Sequence, residues 1–114
     1  MQKATSTLQN KVLIVTQYGK EFHISKQAII YIRKRKNYTI IQTNEKEISC
    51  HESLKAIHLK LENNKYLKIG NYIFNLEKIM MIDKEEILFS YDWMIPIPAY
   101  VCKKLRKWQK TNRR

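Results

Sequence analysis

The sequence predicts a mainly β domain with one short internal helix and a C-terminal helix. Three observations carry that prediction. Short runs rich in β-branched and aromatic residues recur along the 114 residues, separated by polar turns. Apolar residues fall at helical spacing in only two places, Leu54 to Leu61 and Val101 to Trp108. With 44% hydrophobic residues and only two Gly and two Pro, the composition suits a chain that folds around a core, and this length suits one core.

Each element follows in order. Lys11 to Thr16 and Glu21 to Ile24 are strand-like, and Tyr18-Gly19-Lys20 between them holds a glycine able to take a positive φ, so an opening hairpin is expected. Ala28 to Ile32 and Tyr38 to Thr43 are stronger strands. The four cations Arg33-Lys34-Arg35-Lys36 between them cannot all be buried and are expected to form an exposed loop. After Glu47 to Cys50, Ser49-Cys50-His51-Glu52 matches a capping box. Leu54, Ile57, His58 and Leu61 then mark one face of a short amphipathic helix ending near Asn63-Asn64.

Tyr66 to Ile69, Tyr72 to Asn75, Lys78 to Ile82 and Ile87 to Tyr91 return to strand character, with Asp83 to Glu86 as a polar turn. Pro96 and Pro98 have no amide donor, so Ile95 to Pro98 is expected as an edge strand and Pro98 as the opening of the last helix. Val101, Leu105 and Trp108 share a face of that helix, leaving Lys103, Lys104, Arg106 and Lys107 for the others. The expected division is a flexible segment over residues 1–10, a domain over 11–109 and a basic tail over 110–114.

Charge narrows the function. Twenty-two Lys and Arg against ten Asp and Glu leave a formal +12, which attracts polyanions. Half of the positive charge sits in Arg33 to Lys36 and in residues 103–114, the latter holding seven basic and no acidic side chains. Cys50 and Cys102 form no CxxC pair and are expected as buried thiols in a reducing, cytoplasmic protein. No signal-peptide core and no run of about 18 apolar residues is present, so no membrane role is expected.

Clustered Lys and Arg suit a nucleic-acid backbone, and Asn37, Ser53 and Asn71 beside them suit base edges, since Asn pairs bidentately with adenine in the major groove. The competing chemistries are weaker. No spacing among His23, His51, His58, Cys50 and Cys102 matches a zinc motif, and Asp83, Glu85 and Glu86 share one turn without a partner motif for a divalent cation. Neither an enzyme nor a cofactor is expected, because no P-loop, dinucleotide fingerprint or nucleophile elbow occurs. Tyr31, Tyr38, Tyr66, Tyr72, Phe74, Tyr91 and Trp93 leave single-stranded RNA stacking as an alternative, against the ordinary role of strand aromatics in packing.

Three segments resemble the LytTR family of DNA-binding domains: Ala28-Ile29-Ile30-Tyr31-Ile32 through Asn37-Tyr38-Thr39-Ile40-Ile41-Gln42-Thr43; Ser53-Leu54-Lys55; and Tyr66-Leu67-Lys68-Ile69 through Asn75-Leu76-Glu77-Lys78-Ile79. Ile95 to Leu105 resembles the family's final strand and helix, so the likeness runs from about Val12 to Trp108. The resemblance implies an elongated LytTR-like arrangement of small antiparallel sheets, whose loops enter successive major grooves of double-stranded DNA bearing paired direct repeats. It implies a bacterial transcriptional regulator, response regulator-like, and leaves open whether two copies meet as a dimer on DNA.

Carried over by position, the first contact is Arg33, Lys34, Arg35, Lys36 and Asn37; the second is Ser53 and Lys55 at the helix start; the third is Gly70 and Asn71, with Lys68 beside them; the fourth is around Tyr100, with Lys103 and Lys104. The sequence departs from the family where Lys68-Ile69-Gly70-Asn71 is one residue shorter and lacks a His, and where Ile97-Pro98-Ala99 replaces Val-Ser-Arg. Both changes imply altered base recognition before loss of phosphate binding, and they keep a protein-interaction module without base readout as a further alternative. A receiver domain of ordinary size does not fit beside this one in 114 residues, so an input signal is expected from a separate signalling partner, another layer of control, or a part of the protein outside this sequence.

Overall fold

A computed structural model describes residues 11–112. The expected flexible segment at residues 1–10, and Arg113 and Arg114 of the basic tail, lie outside the described residues. The chain begins with β1 (Val12–Gln17), β2 (Lys20–Ser25), β3 (Ile29–Arg35), β4 (Tyr38–Thr43), β5 (Glu47–Cys50) and α1 (Leu54–His58). It continues with β6 (Tyr66–Ile69), β7 (Tyr72–Asn75), β8 (Ile79–Ile82), β9 (Glu86–Phe89), β10 (Trp93–Pro96) and α2 (Ala99–Asn112). All pairings are antiparallel, in a central five-stranded sheet of order β5-β4-β3-β7-β6, the hairpin β1-β2, and a three-stranded sheet of order β10-β9-β8. The molecule measures 44 × 34 × 25 Å, the elongated mainly β arrangement expected.

The central sheet separates two cores. On one face, Leu13, Val15 and Ile24 of the hairpin and Leu54, Ile57 and Leu61 around α1 pack against Ile29, Ile32, Ile41 and Ile73. On the other, Ile87 and Phe89 of β9, Ile97, and Val101, Cys102 and Leu105 of α2 pack against Ile30, Tyr31, Ile69 and Phe74. β3 serves both cores. A register shift between Ile29 and Tyr31 inserts Ile30 as an extra residue, so Ile29 and Ile32 point one way while Ile30 and Tyr31 point the other. Tyr31, Tyr72, Phe74 and Phe89 stack on one another in the second core, with ring centroids 5.5 to 6.4 Å apart, and so are packing residues rather than a base-stacking platform.

Several sequence expectations need correction. Arg33 to Lys36 is no loop: β3 runs through Arg35, which pairs with Tyr38, and Lys36-Asn37 is the entire turn. Beyond the core both faces of a strand are wet, so charged side chains cost nothing there while the backbone ladder continues. Lys36 takes the positive φ of the turn, 55°. The cap of α1 is Ser53, whose oxygen accepts from the Ala56 amide at 3.0 Å, and not Ser49, which lies in β5 opposite Ile40. The helix ends at His58, well before Asn63-Asn64, and Leu61 reaches the core from the turns that follow.

The strand expected over Ile87 to Tyr91 stops at Phe89, because Tyr91 and Asp92 take positive φ of 68° and 59°, which no strand continues through. β10 is an edge strand, as the proline requires, and starts at Trp93, two residues before the expected Ile95. The Pro98 carbonyl accepts from the Val101 and Cys102 amides at 3.0 and 3.1 Å, which places Pro98 at the cap of α2. That helix continues to Asn112, so residues 110–112 are helical. Trp108 is only half-buried, and Cys102 joins Val101 and Leu105 on the packed face. Both cysteines are free and buried. Among the described residues, no helix is long and apolar enough to cross a membrane.

Candidate nucleic-acid interface

Three backbone features meet at one end of the central sheet. β3 and β7 are antiparallel neighbours, so the turn that leaves β3, Lys36-Asn37, and the turn that enters β7, Gly70-Asn71, lie side by side; the Lys34 amide donates to the Asn71 carbonyl at 2.9 Å. The start of α1 comes to the same end because the Thr39 hydroxyl donates to the Glu52 carbonyl at 2.7 Å. Thr39 is buried, so this tether is shielded from water and fixes Ser53 to Lys55 beside the two turns.

Pleating decides which cations face this place. Ile32 belongs to the first core, so Lys34, two residues on, shares that face, as does Lys68, which pairs with Ile73. Lys34 and Lys68, with Lys36 from the turn and Lys55 from α1, line one concavity of about 430 Å³, with Asn37, Ser53, Gly70 and Asn71 in the same wall. Glu52 is the acid among the lining residues. Its carboxylate already holds Lys60 Nζ at 2.6 Å and the Thr16 amide at 2.9 Å, so the field of the concavity stays positive.

The other expected residues fall elsewhere. Arg33 and Arg35 point to the opposite face, where Arg33 pairs with Glu47 at 3.3 Å beside Tyr31 and Arg35 lines a second hollow with Tyr38, Ser49 and Lys36, which at the tip of the turn borders both hollows. Burial raises the Tyr31 phenol above its ordinary pKa of 10.0, against the pull of the Arg33 charge. Ser53 Oγ accepts the cap bond from the Ala56 amide and keeps its hydroxyl proton and a second lone pair. Lys68 Nζ donates to the Gly70 carbonyl at 3.2 Å, which holds its charge near the β6–β7 turn. Lys103 and Lys104 are exposed on α2, outside the concavity, and Tyr100 on the same helix reaches the Gly70 turn.

Sequence reasoning missed an aromatic cluster on the rim. His51 lies between Tyr38, at a centroid distance of 4.9 Å, and Tyr18, at 5.5 Å. Tyr38 and His51 both line the concavity, and Tyr18 is 75% exposed. No spacing reveals this group, because its members come from three separate elements.

The sequence matches the LytTr DNA-binding domain family over residues 19–110. The chain belongs to that family. The LytTr fold is confirmed by a solved structure, the LytTr DNA-binding domain of a Bacillus cereus protein named as a methyl-accepting/DNA response regulator. It superposes with a TM-score of 0.67 at 14% identity, covering 85% of this chain and 94% of that one. No curated protein is a match for this sequence. The LytTr match takes in both turns and α1, which build the concavity, and begins after β1.

Proposed function

We propose that this LytTr domain binds double-stranded DNA with base preference, as a transcriptional regulator, through the concave end of its central sheet. One observation supports this above all: Lys34, Lys36, Lys55 and Lys68 line a single concavity together with Asn37, Ser53 and Asn71. In the proposed complex the four lysines neutralise phosphates, while Asn37 and Asn71, each the second residue of a two-residue turn, present amide groups to base edges. A major groove about 12 Å wide admits a two-stranded ribbon, and each turn is the tip of one. Lys103 and Lys104 add phosphate contacts on the next stretch of backbone. Arg33 and Arg35 receive no groove contact, because their strand presents them to the far face.

A binding selection on random duplex DNA tests this. The expected result is a sequence logo with two similar half-sites, from two copies of the domain on paired repeats. Equal retention of every duplex, or preference for single-stranded RNA over duplex in competition, contradicts the proposal.

A further inference from the structure

The three-stranded sheet turns an apolar row to water. Ile87 of β9 is buried in the second core, and its cross-strand partners Ile82 and Ile95 pack against the same core. Alternation sends the next row outward: Leu88 pairs with Met81 on one side and with Met94 on the other. A register shift between Ile79 and Met81 puts Met80 and Met81 on the side away from Ile79 and Ile82. Met81 and Met94 are each 44% exposed and Met80 is 63% exposed, so three of the four methionines in the sequence stand together on one open face. Carboxylates border it. Glu86, opposite Pro96, precedes Leu88 by two residues and shares its face, and the Asp83 amide donates to the Glu86 carbonyl at 2.8 Å, which sets Asp83 beside it. Among the described residues no ion pair engages Asp83, Glu85, Glu86 or Asp92, and Arg106 donates to the Asp83 backbone carbonyl, at 2.8 Å.

We propose that this face docks a partner protein through an apolar segment flanked by Lys and Arg. Single exposed apolar side chains are ordinary on a protein surface, but a row that crosses all three strands is not, and flexible thioethers adapt to the shape of what they meet. Charge selects the occupant. In a molecule of formal charge +12, a patch bordered by unpaired carboxylates attracts a basic partner that the rest of the surface repels. A second copy meeting the face with its own equivalent would set carboxylates against carboxylates. The sheet packs on the second-core face and the concavity opens on the first, so the partner and a nucleic acid need not compete, and the proposal stands apart from the DNA reading.

The test titrates the full chain, labelled at its methionine methyl groups, with three model peptides that share one leucine face and carry Lys, Gln or Glu around it. The Lys peptide is expected to shift the methyl signals of Met80, Met81 and Met94, with the Gln peptide about tenfold weaker and the Glu peptide leaving them in place. Met81→Ser together with Met94→Ser is expected to weaken the Lys peptide about tenfold, since the centre of the contact is lost. Asp83→Asn together with Glu86→Gln is expected to weaken it about fivefold and to flatten its salt dependence. Duplex affinity is expected to survive the methionine changes.

Methyl signals that none of the peptides moves, or that Lys and Glu peptides move alike, overturn the proposal. Signals that move with protein concentration alone overturn it in favour of a second copy. Should a variant lose its fold, the wild-type titration decides by itself, because the methyl groups report directly on the face.

Discussion

Lys34 and Arg33 are adjacent in the chain and serve opposite faces of the sheet. The alternation of a strand separates them, and the bulge at Ile30 sets which one joins the first-core face. The cationic run itself was legible in the sequence, as was its exposure; its division was not, because a one-residue bulge leaves no mark in a pattern already made of consecutive isoleucines. Asn37 and Asn71 stand out in the sequence for lying beside cations and through the family resemblance; that each closes a two-residue turn was not read from it, although such turns draw on Gly and Asn. Tyr66 offers a test at this scale. Its hydroxyl donates to the Lys26 carbonyl at 3.0 Å, and burial, with Glu62 and Glu77 adding to it, pushes its phenol from 10.0 up to about 12. The fold favours the neutral phenol, so this stabilisation is complete below pH 10.0 and declines as the pH rises toward about 12. Tyr66→Phe should cost about 1 kcal/mol at neutral pH and make the alkaline loss of stability shallower. Urea unfolding across that pH range checks both.

The strands and both helices were readable as elements, because β-branched runs and helical spacing are carried by the residues themselves. Their ends were decided by partners. Ser49 and Ser53 both suit a cap, and pairing of β5 with β4 claims Ser49 for the sheet, leaving Ser53 for α1. Likewise the left-handed Tyr91 and Asp92 divide what reads as one long strand, and neither residue type announces that backbone. Ser53→Ala should lower stability by about 1 kcal/mol, seen as a reduced urea midpoint with unchanged slope, whereas Ser49→Ala should stay within about 0.5 kcal/mol. Equal effects at the two positions would contradict the cap assignment. The start of α1 belongs to the concavity, so Ser53→Ala should also weaken duplex binding.

Across the whole molecule, charge is sorted by sheet. Glu77, Asp83, Glu85, Glu86 and Asp92, five of the ten acids, lie in or beside the three-stranded sheet with only Lys78 and Lys84 among them between residues 77 and 92. That sheet packs on the second-core face, and the concavity opens on the first, so the acids stand behind the surface proposed to meet DNA. Net charge and element order in the sequence pointed to a basic DNA-binding domain; the convergence of four lysines on one concavity depends on long-range pairing of β3, β4, β6 and β7 and was not readable from their positions. The most direct measurement is the salt dependence of duplex binding by two multiple variants. Serine at Lys34, Lys36, Lys55 and Lys68 should reduce the slope of log affinity against log salt by about 3 to 4, at about 0.9 per phosphate contact, while serine at Arg33 and Arg35 should leave it nearly unchanged. An unchanged slope in the lysine variant, or a loss carried by the arginine pair instead, would contradict the account.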